Sequence, residues 1–181
     1  HLGYLAYDKE RKEVYVPNEE VRTAFANAIS GTDWKPVVEA IRKSEKLLAD
    51  TWHKNEQAVA KGVEMVHMEN ASILEYNNEN ALSCVIALAY YNAVNEYTLI
   101  REFPTGNGYA DMVFLPRRHS DKPAMIVELK YDHSVQSAIE QIKGRHYPKA
   151  LEDWDSGKPI LLIGISYDRK TKEHVCHIEE I

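Results

Sequence analysis

The chain has 181 residues, of which 44% are hydrophobic and 28% are charged, and these values exclude a collagen, a coiled coil or a disordered tail. The formal net charge of -6 argues against a protein that coats nucleic acid through bulk positive charge. The charge is uneven, because residues 1–100 hold 10 Lys or Arg against 15 Asp or Glu, whereas residues 101–181 hold 12 against 13.

The sequence of the first 70 residues predicts a hairpin and helices, without an obvious catalytic or ligand-binding motif. β-branched and aromatic runs at residues 3–8 and 13–16, separated by charged turn residues, predict a β-hairpin. Helices are predicted at about 18–31, 33–48 and 55–69, where apolar residues recur at helical spacing. The chain starts at His1 without an initiator methionine, so we expect a piece of a longer protein.

From Asn77 onward the sequence predicts an α/β sandwich about a mixed sheet. The apolar run at 160–165 is typical of a strand buried on both faces, and Asn107-Gly108 is typical of a hairpin turn. The predicted order is a helix at 79–94, strands at 97–103, 109–115 and 124–131, a helix that starts after Ser134 and ends near Pro148 or Leu151, and strands at 160–165 and 174–178.

Charged residues interrupt two of these apolar strands. Because successive side chains of a strand alternate between faces, Glu128 and Lys130 point the same way, while Leu129 faces the core. Asp111 is likewise a charge within an apolar strand. If strands 109–115 and 124–131 are neighbours, a suitable register brings Asp111 beside Glu128.

Two close carboxylates repel each other unless a cation lies between them, and such oxygen ligands suit Mg²⁺ or Mn²⁺. Lys130 beside that ion would orient or deprotonate an attacking water and stabilise charge on a phosphate. The alternative is a partly exposed ion-pair network at the strand ends. The residues alone leave both interpretations open.

An Asp on the second strand and Glu-x-Lys on the third, in the order αβββαβ, resemble the PD-(D/E)XK nuclease superfamily. The resemblance implies a restriction-endonuclease-like fold over residues 71–181, with a mixed central sheet flanked by helices. More closely, the sequence is similar to the nuclease-like C-terminal domain of bacterial proteins with an AAA-ATPase-like N-terminal domain, through residues 106–116, 124–131, 138–143 and 163–168. Residues 3–7 and 16–21 resemble the junction after that ATPase-like region, so residues 1–70 are expected to link to an upstream ATPase-like domain.

The resemblance also implies roles for individual residues. Asp111 and Glu128 become ligands of Mg²⁺ or Mn²⁺, and Lys130 becomes the catalytic lysine. Further metal ligands are the Leu129 backbone carbonyl and Glu79, the latter as a ligand or water positioner near the start of the first core helix. A plain alternative for Glu79 is the preference of acidic residues for helix N-termini, and Glu75 is a substitute if the alignment slips by one turn.

The helix after the lysine strand departs from the pattern of the family. Gln141 matches a glutamine that lies beside the site in many members, where a tyrosine often follows four residues later. Here Tyr147 follows six residues later, a rotation of about 600° that does not return to the same helical face. Lys143, Arg145 and His146 are possible phosphate contacts, or else solvated surface residues.

We therefore expect a metal-dependent nuclease-like domain that hydrolyses phosphodiester bonds of nucleic acid, with DNA favoured over RNA. The alternative is a catalytically inactive nuclease-fold module for binding or regulation, coupled to an upstream ATPase-like domain, because productive DNA contact is expected to show a strong basic footprint. Cys84 and Cys176 lie far apart in apolar surroundings, so we expect both to be reduced core residues. Because no secretory signal is visible either, we expect a cytoplasmic protein. The longest strongly apolar stretch, 81–91, is shorter than the about 20 residues of a membrane span, so no membrane partner is expected.

Overall fold

The computed structural model describes residues 6–8, 13–15, 19–20, 23, 35–70, 78–104, 108–118, 120–145 and 158–181. The chain divides into two compact units, residues 1–42 and 43–181. Residues 43–70, which the sequence analysis grouped with the N-terminal segment, belong to the same unit as the rest of the chain up to Ile181.

The first unit contains the predicted hairpin. Strands β1 (Ala6–Asp8) and β2 (Glu13–Tyr15) pair antiparallel, with Tyr7 opposite Val14. The predicted helix at 18–31 falls largely outside the described residues. Within this range the structure describes residues 19, 20 and 23, and these three are helical. Helix α1 (Lys35–Trp52) starts in this unit and ends in the second.

Among the described residues, three further helical segments precede the sheet of the second unit. They are α2 (Glu56–Asn70), α3 (Glu79–Ala89) and a short 3₁₀ helix (Tyr91–Asn95). Helix α3 begins after Asn78, whose extended backbone and side-chain oxygen form an N-cap, with Oδ1 accepting a hydrogen bond from the Ala81 amide at 2.9 Å. The helix predicted as continuous from 79 to 94 thus changes its geometry at Tyr90.

Five strands form the mixed sheet, in the spatial order β3-β4-β5-β6-β7. They are β3 (Tyr97–Pro104), β4 (Tyr109–Pro116), β5 (Ala124–Tyr131), β6 (Ile160–Asp168) and β7 (Glu173–Glu180). Only β5 and β6 pair in parallel among these strands, and helix α4 (Val135–Gly144) lies between them in the chain, as a parallel connection requires. The predicted end of α4 near Pro148 or Leu151 and residues 105–107 of the hairpin turn lie outside the described residues.

Each face of the sheet has its own apolar layer. On one face, residues of α3 such as Leu82 and Ile86 pack with a layer that includes Met112, Val127 and Leu129. The opposite face packs against α4 through Ala110, Val113, Leu115, Ile126, Ile139, Ile142 and Leu162. Strand β6 is buried from Leu161 to Tyr167, as its apolar run predicts. Within the described part of the chain, no helix combines the length and the hydropathy that crossing a membrane requires.

Candidate active site

Neighbouring strands β4 and β5 bring the predicted acidic residues together. Their antiparallel register ends with the pair Met112 and Val127, the residues next to Asp111 and Glu128. At this end of the ladder, Asp111 Oδ2 accepts a hydrogen bond of 2.7 Å from the backbone amide of Leu129. A main-chain donor of β5 therefore fixes the carboxylate of Asp111 beside the strand that carries Glu128.

Glu128 is a buried carboxylate with one satisfied oxygen. The residue is 1% exposed, and its Oε1 accepts hydrogen bonds from Lys130 Nζ at 3.3 Å and from Gln141 Nε2. Its Oε2 is buried and has no hydrogen-bond partner among the residues that the structure describes. Leaving a buried charged oxygen without a partner is costly, so this atom is a candidate ligand position.

Lys130 lies between Glu128 on its own strand and the start of helix α3. Its Nζ lies 3.3 Å from Glu128 Oε1 and 4.0 Å from Oε1 of Glu79 in the first turn of α3. The Lys130 side chain is 14% exposed, whereas that of Glu79 is 50% exposed. The lysine thus lies between a buried and an accessible carboxylate, at the edge where solvent reaches the site.

Two local features place helix α4 over these residues. Ser134 caps the helix, and its Oγ accepts a hydrogen bond of 3.3 Å from the Ser137 amide. Gly164 pairs with Glu128 in the β5–β6 register, and a Cβ at this position would lie only 2.9 Å from the Val135 carbonyl oxygen. The missing side chain therefore allows α4 to approach the sheet closely enough for Gln141 to reach Glu128.

Burial dominates the electrostatics of both strand carboxylates. Burial, and after it the negative charge of Asp111, raise the pKa of Glu128 to about 7, although Lys130 and Arg145 act in the opposite direction. Burial also raises the pKa of Asp111, against the Leu129 amide and the charge of Lys130. The site therefore favours added positive charge near these two carboxylates.

The remaining predicted residues have different positions. Arg145 follows α4 and lies against Gly108, where a Cβ would be 3.0 Å from its Nη1, and its charge lowers the pKa of both strand carboxylates. Lys143 instead forms an ion pair of 2.5 Å with Glu179 of β7. The predicted residues Glu75, His146 and Tyr147 lie outside the described residues.

The donor chemistry fits a hard divalent cation. Two buried or half-buried carboxylates meet at the site, and one of their oxygens, Glu128 Oε2, lacks a hydrogen-bond partner among the described residues. Within the same part of the chain, no three or more side chains of His, Cys, Asp or Glu gather as a complete metal site. Two carboxylates match only part of the coordination shell that a Mg²⁺ ion needs, and Mg²⁺ usually keeps several waters.

A cleft that was not predicted from the sequence lies beside Lys130. Its volume is about 410 Å³, and it is lined by Asn78, Glu79, Asn80, Tyr131 and His133. Tyr131 and His133 follow Lys130 directly in the chain, but only the approach of the α3 N-terminus to the end of β5 turns them into a cleft. The one sequence feature that pointed to these two residues was their position directly after the Glu-x-Lys motif.

A mixed five-stranded sheet with helices on both faces, and with Asp and Glu-x-Lys on adjacent strands, is typical of a restriction-endonuclease-like fold. A sequence model of the PD-(D/E)XK nuclease superfamily matches residues 77–177, and the chain belongs to this superfamily. The predicted fold is confirmed. A search of curated proteins found no match. The upstream ATPase-like domain stays a prediction.

Proposed function

We propose that this chain is a metal-dependent nuclease that hydrolyses phosphodiester bonds of nucleic acid, with DNA preferred over RNA. The observation that carries the proposal is the buried Glu128 carboxylate, which faces Asp111, is held by Lys130 and Gln141, and keeps Oε2 without a hydrogen-bond partner among the described residues. Membership of a superfamily of nucleases agrees with this chemistry.

Asp111 and Glu128 would hold Mg²⁺ or Mn²⁺, with the Leu129 carbonyl and Glu79 as further ligands. When bound, such an ion polarises the phosphate and lowers the pKa of a bound water. The fit rests on Glu128 Oε2, which is buried and has no hydrogen-bond partner among the described residues. The raised pKa of both strand carboxylates agrees with it, because a nearby cation would lower that pKa again. Gln141 donates its hydrogen bond to Oε1 of Glu128, which leaves Oε2 as the oxygen that would bind the ion.

Lys130 is the proposed catalytic lysine. Its ammonium group lies beside Glu128 and close to Glu79, so it is positioned to donate a hydrogen bond to an attacking water or to a phosphate oxygen. In the overall reaction, a water oxygen forms a bond to phosphorus and one P–O ester bond breaks. One product then carries a phosphomonoester, and the other carries the hydroxyl that receives the proton. Arg145 and the predicted contact His146 would bind neighbouring phosphates.

Removing the Lys130 ammonium group tests this proposal. With Mn²⁺ or Mg²⁺ present, we expect Lys130→Ala to lower the cleavage rate of plasmid and single-stranded DNA by about 10²- to 10³-fold, because charge stabilisation in the transition state is lost. Lys46→Ala is a matched control, since Lys46 is an exposed lysine paired with Asp50 on α1. Equal cleavage by Lys130→Ala and wild type, at equal thermal stability, would contradict the proposal.

The net charge of -6 favours a second candidate, a nuclease-fold module that binds or regulates without cleavage and is coupled to an upstream ATPase-like domain. Purified wild-type protein distinguishes the two candidates. Cleavage of labelled DNA and RNA strands that requires both a divalent metal and Lys130 supports the nuclease, and the faster substrate tests the preference for DNA. Binding of Mn²⁺ or oligonucleotides without any cleavage supports the second candidate.

A further inference from the structure

The cleft next to Lys130 shares Glu79 with the proposed catalytic site. Glu79 lines the cleft, and its Oε1 lies 4.0 Å from Lys130 Nζ, while Tyr131 follows the lysine in β5. The cleft volume of about 410 Å³ falls within the range of small-molecule sites, about 300–1,000 Å³. This volume can hold one nucleotide.

We propose that this cleft binds one unpaired nucleobase next to the scissile phosphate, so that the substrate is single-stranded nucleic acid or a strand end with unpaired nucleotides. This inference rests on the proposed nuclease function and adds the substrate class. A base within a duplex is stacked on both faces and paired at its edge. An unpaired base instead exposes its faces and its edge to protein side chains.

Tyr131 supplies a rigid face for stacking. The residue is half-buried, and it packs against the apolar core while also lining the cleft. Its ring lies 5.8 Å from that of Tyr167, the residue directly opposite on β6, and Tyr167 in turn lies 4.8 Å from the His174 ring. Because neighbouring rings already restrain Tyr131, stacking a base on it requires little additional ordering.

The turn that follows Tyr131 fixes the other wall of the cleft. Asp132 has a left-handed backbone with φ of 57°, and its amide donates a 2.9 Å hydrogen bond to the Tyr167 carbonyl oxygen. The Asp132 carboxylate accepts a 2.9 Å hydrogen bond from the Arg169 amide and forms a 2.9 Å ion pair with Arg169 Nε. His133 therefore follows a residue whose backbone and side chain are both held.

Polar groups of the α3 N-terminus face the same cleft. Asn80 is exposed, and a side-chain amide presents a donor and an acceptor that match the edge of a base. The net charge of -6 makes phosphate contacts a weak source of affinity for the chain as a whole. Stacking on Tyr131 and polar contacts at Asn80 and His133 would therefore supply most of the affinity for the nucleotide.

The test measures binding without cleavage, using the full chain with Lys130→Ala as the background. Fluorescence anisotropy compares a labelled 12-nucleotide DNA strand, the same strand as RNA, a blunt DNA duplex, and a DNA strand in which abasic sites replace the bases. We expect the unmodified DNA strand to bind tighter than the duplex and the abasic strand. Adding Tyr131→Leu should weaken binding of the unmodified strand by roughly 5- to 150-fold, the value of one stacked base.

Three additional variants separate recognition from folding. Tyr131→Phe keeps the ring and should bind the single strand within about twofold of the background protein, since stacking remains. Tyr91→Leu removes an exposed tyrosine of the 3₁₀ helix and should change nothing. Asn80→Ala changes an exposed side chain and should weaken binding of the single strand without lowering the melting temperature, which keeps the test valid even if Tyr131→Leu unfolds.

Equal binding of single strand, duplex and abasic strand would overturn the inference, as would unchanged binding by both Tyr131→Leu and Asn80→Ala. If wild-type protein cleaves DNA under these outcomes, the nuclease function stands and only the base-binding cleft fails. If the single strand binds through Tyr131 but no substrate is cleaved, the cleft stands and the nuclease function fails. Tyr131-dependent preference for the DNA or the RNA strand identifies the source of the nucleotide.

Discussion

The substitution Glu128→Gln tests whether the fold carries an electrostatic cost at this site. Glutamine keeps the shape of the side chain and an acceptor oxygen, but it removes the charge. In the folded protein, burial and the charge of Asp111 raise the pKa of Glu128 from 4.5 to about 7. The folded state therefore binds this proton more tightly than the unfolded chain does.

The sign and size of the effect follow from this difference. Below about pH 4.5, Glu128 is protonated in both the folded and the unfolded state and does not lower the free energy of unfolding. As the pH rises from 4.5 towards 7, the free energy of unfolding falls, and above about pH 7 the cost of the ionised group is constant. At 1.36 kcal/mol per pKa unit, the ionised group costs at most roughly 3 kcal/mol at pH 8. Glu128→Gln removes this cost but also loses the ion pair with Lys130, so we expect it to raise the free energy of unfolding by about 1–3 kcal/mol at pH 8.

Urea unfolding at pH 8 and pH 4.5, with EDTA present, measures the difference between Glu128→Gln and wild type. The stabilisation should be clear at pH 8 and close to zero at pH 4.5. Glu140→Gln is a matched control on the exposed face of α4, and it should change the free energy of unfolding by less than about 0.5 kcal/mol at either pH. Destabilisation by Glu128→Gln at pH 8, or the same change at both pH values, would refute the reasoning.

Two further substitutions test the structure around the site. Gly164→Ala places a Cβ 2.9 Å from the Val135 carbonyl oxygen, so we expect a loss of about 1–3 kcal/mol in urea unfolding and, because α4 carries Gln141, slower cleavage by the folded protein. Unchanged stability would show that α4 can shift freely. Glu56→Ala removes the acceptor of the 2.8 Å hydrogen bond from the Ile178 amide and should cost about 1–3 kcal/mol, whereas an unchanged unfolding midpoint would show that water replaces this contact.

Local sequence pattern was sufficient to predict the strands that carry the chemistry. Strand β5 occupies residues 124–131 as predicted, because its apolar residues form a short buried run. Alternation along β5 predicted that Glu128 and Lys130 share a face, and Asp111 was expected beside Glu128 if β4 and β5 were neighbours. The two strands do pair, with Met112 opposite Val127. These features depend on residues that are neighbours in the chain or on a single strand pair, so the local sequence is enough to predict them.

Features that depend on distant contacts could not be predicted in the same way. The helix predicted at 79–94 changes geometry at Tyr90, whose hydroxyl lies 2.8 Å from Thr51 Oγ, and the Asn92 amide donates to Ser44 Oγ at 2.9 Å. Both partners belong to α1, more than 35 residues away in the chain. The ion pair between Lys143 and Glu179 likewise depends on the packing of α4 against β7.

A crystal structure of the protein soaked in Mn²⁺ tests the central claim most directly, because the anomalous signal locates the ion. We expect one strong peak at about 2.1–2.2 Å from Glu128 Oε2 and from a carboxylate oxygen of Asp111, with Glu79 as a further ligand, directly or through water. Absence of a peak at these carboxylates at saturating Mn²⁺, with Glu128 Oε2 still buried and unbound, would contradict the account.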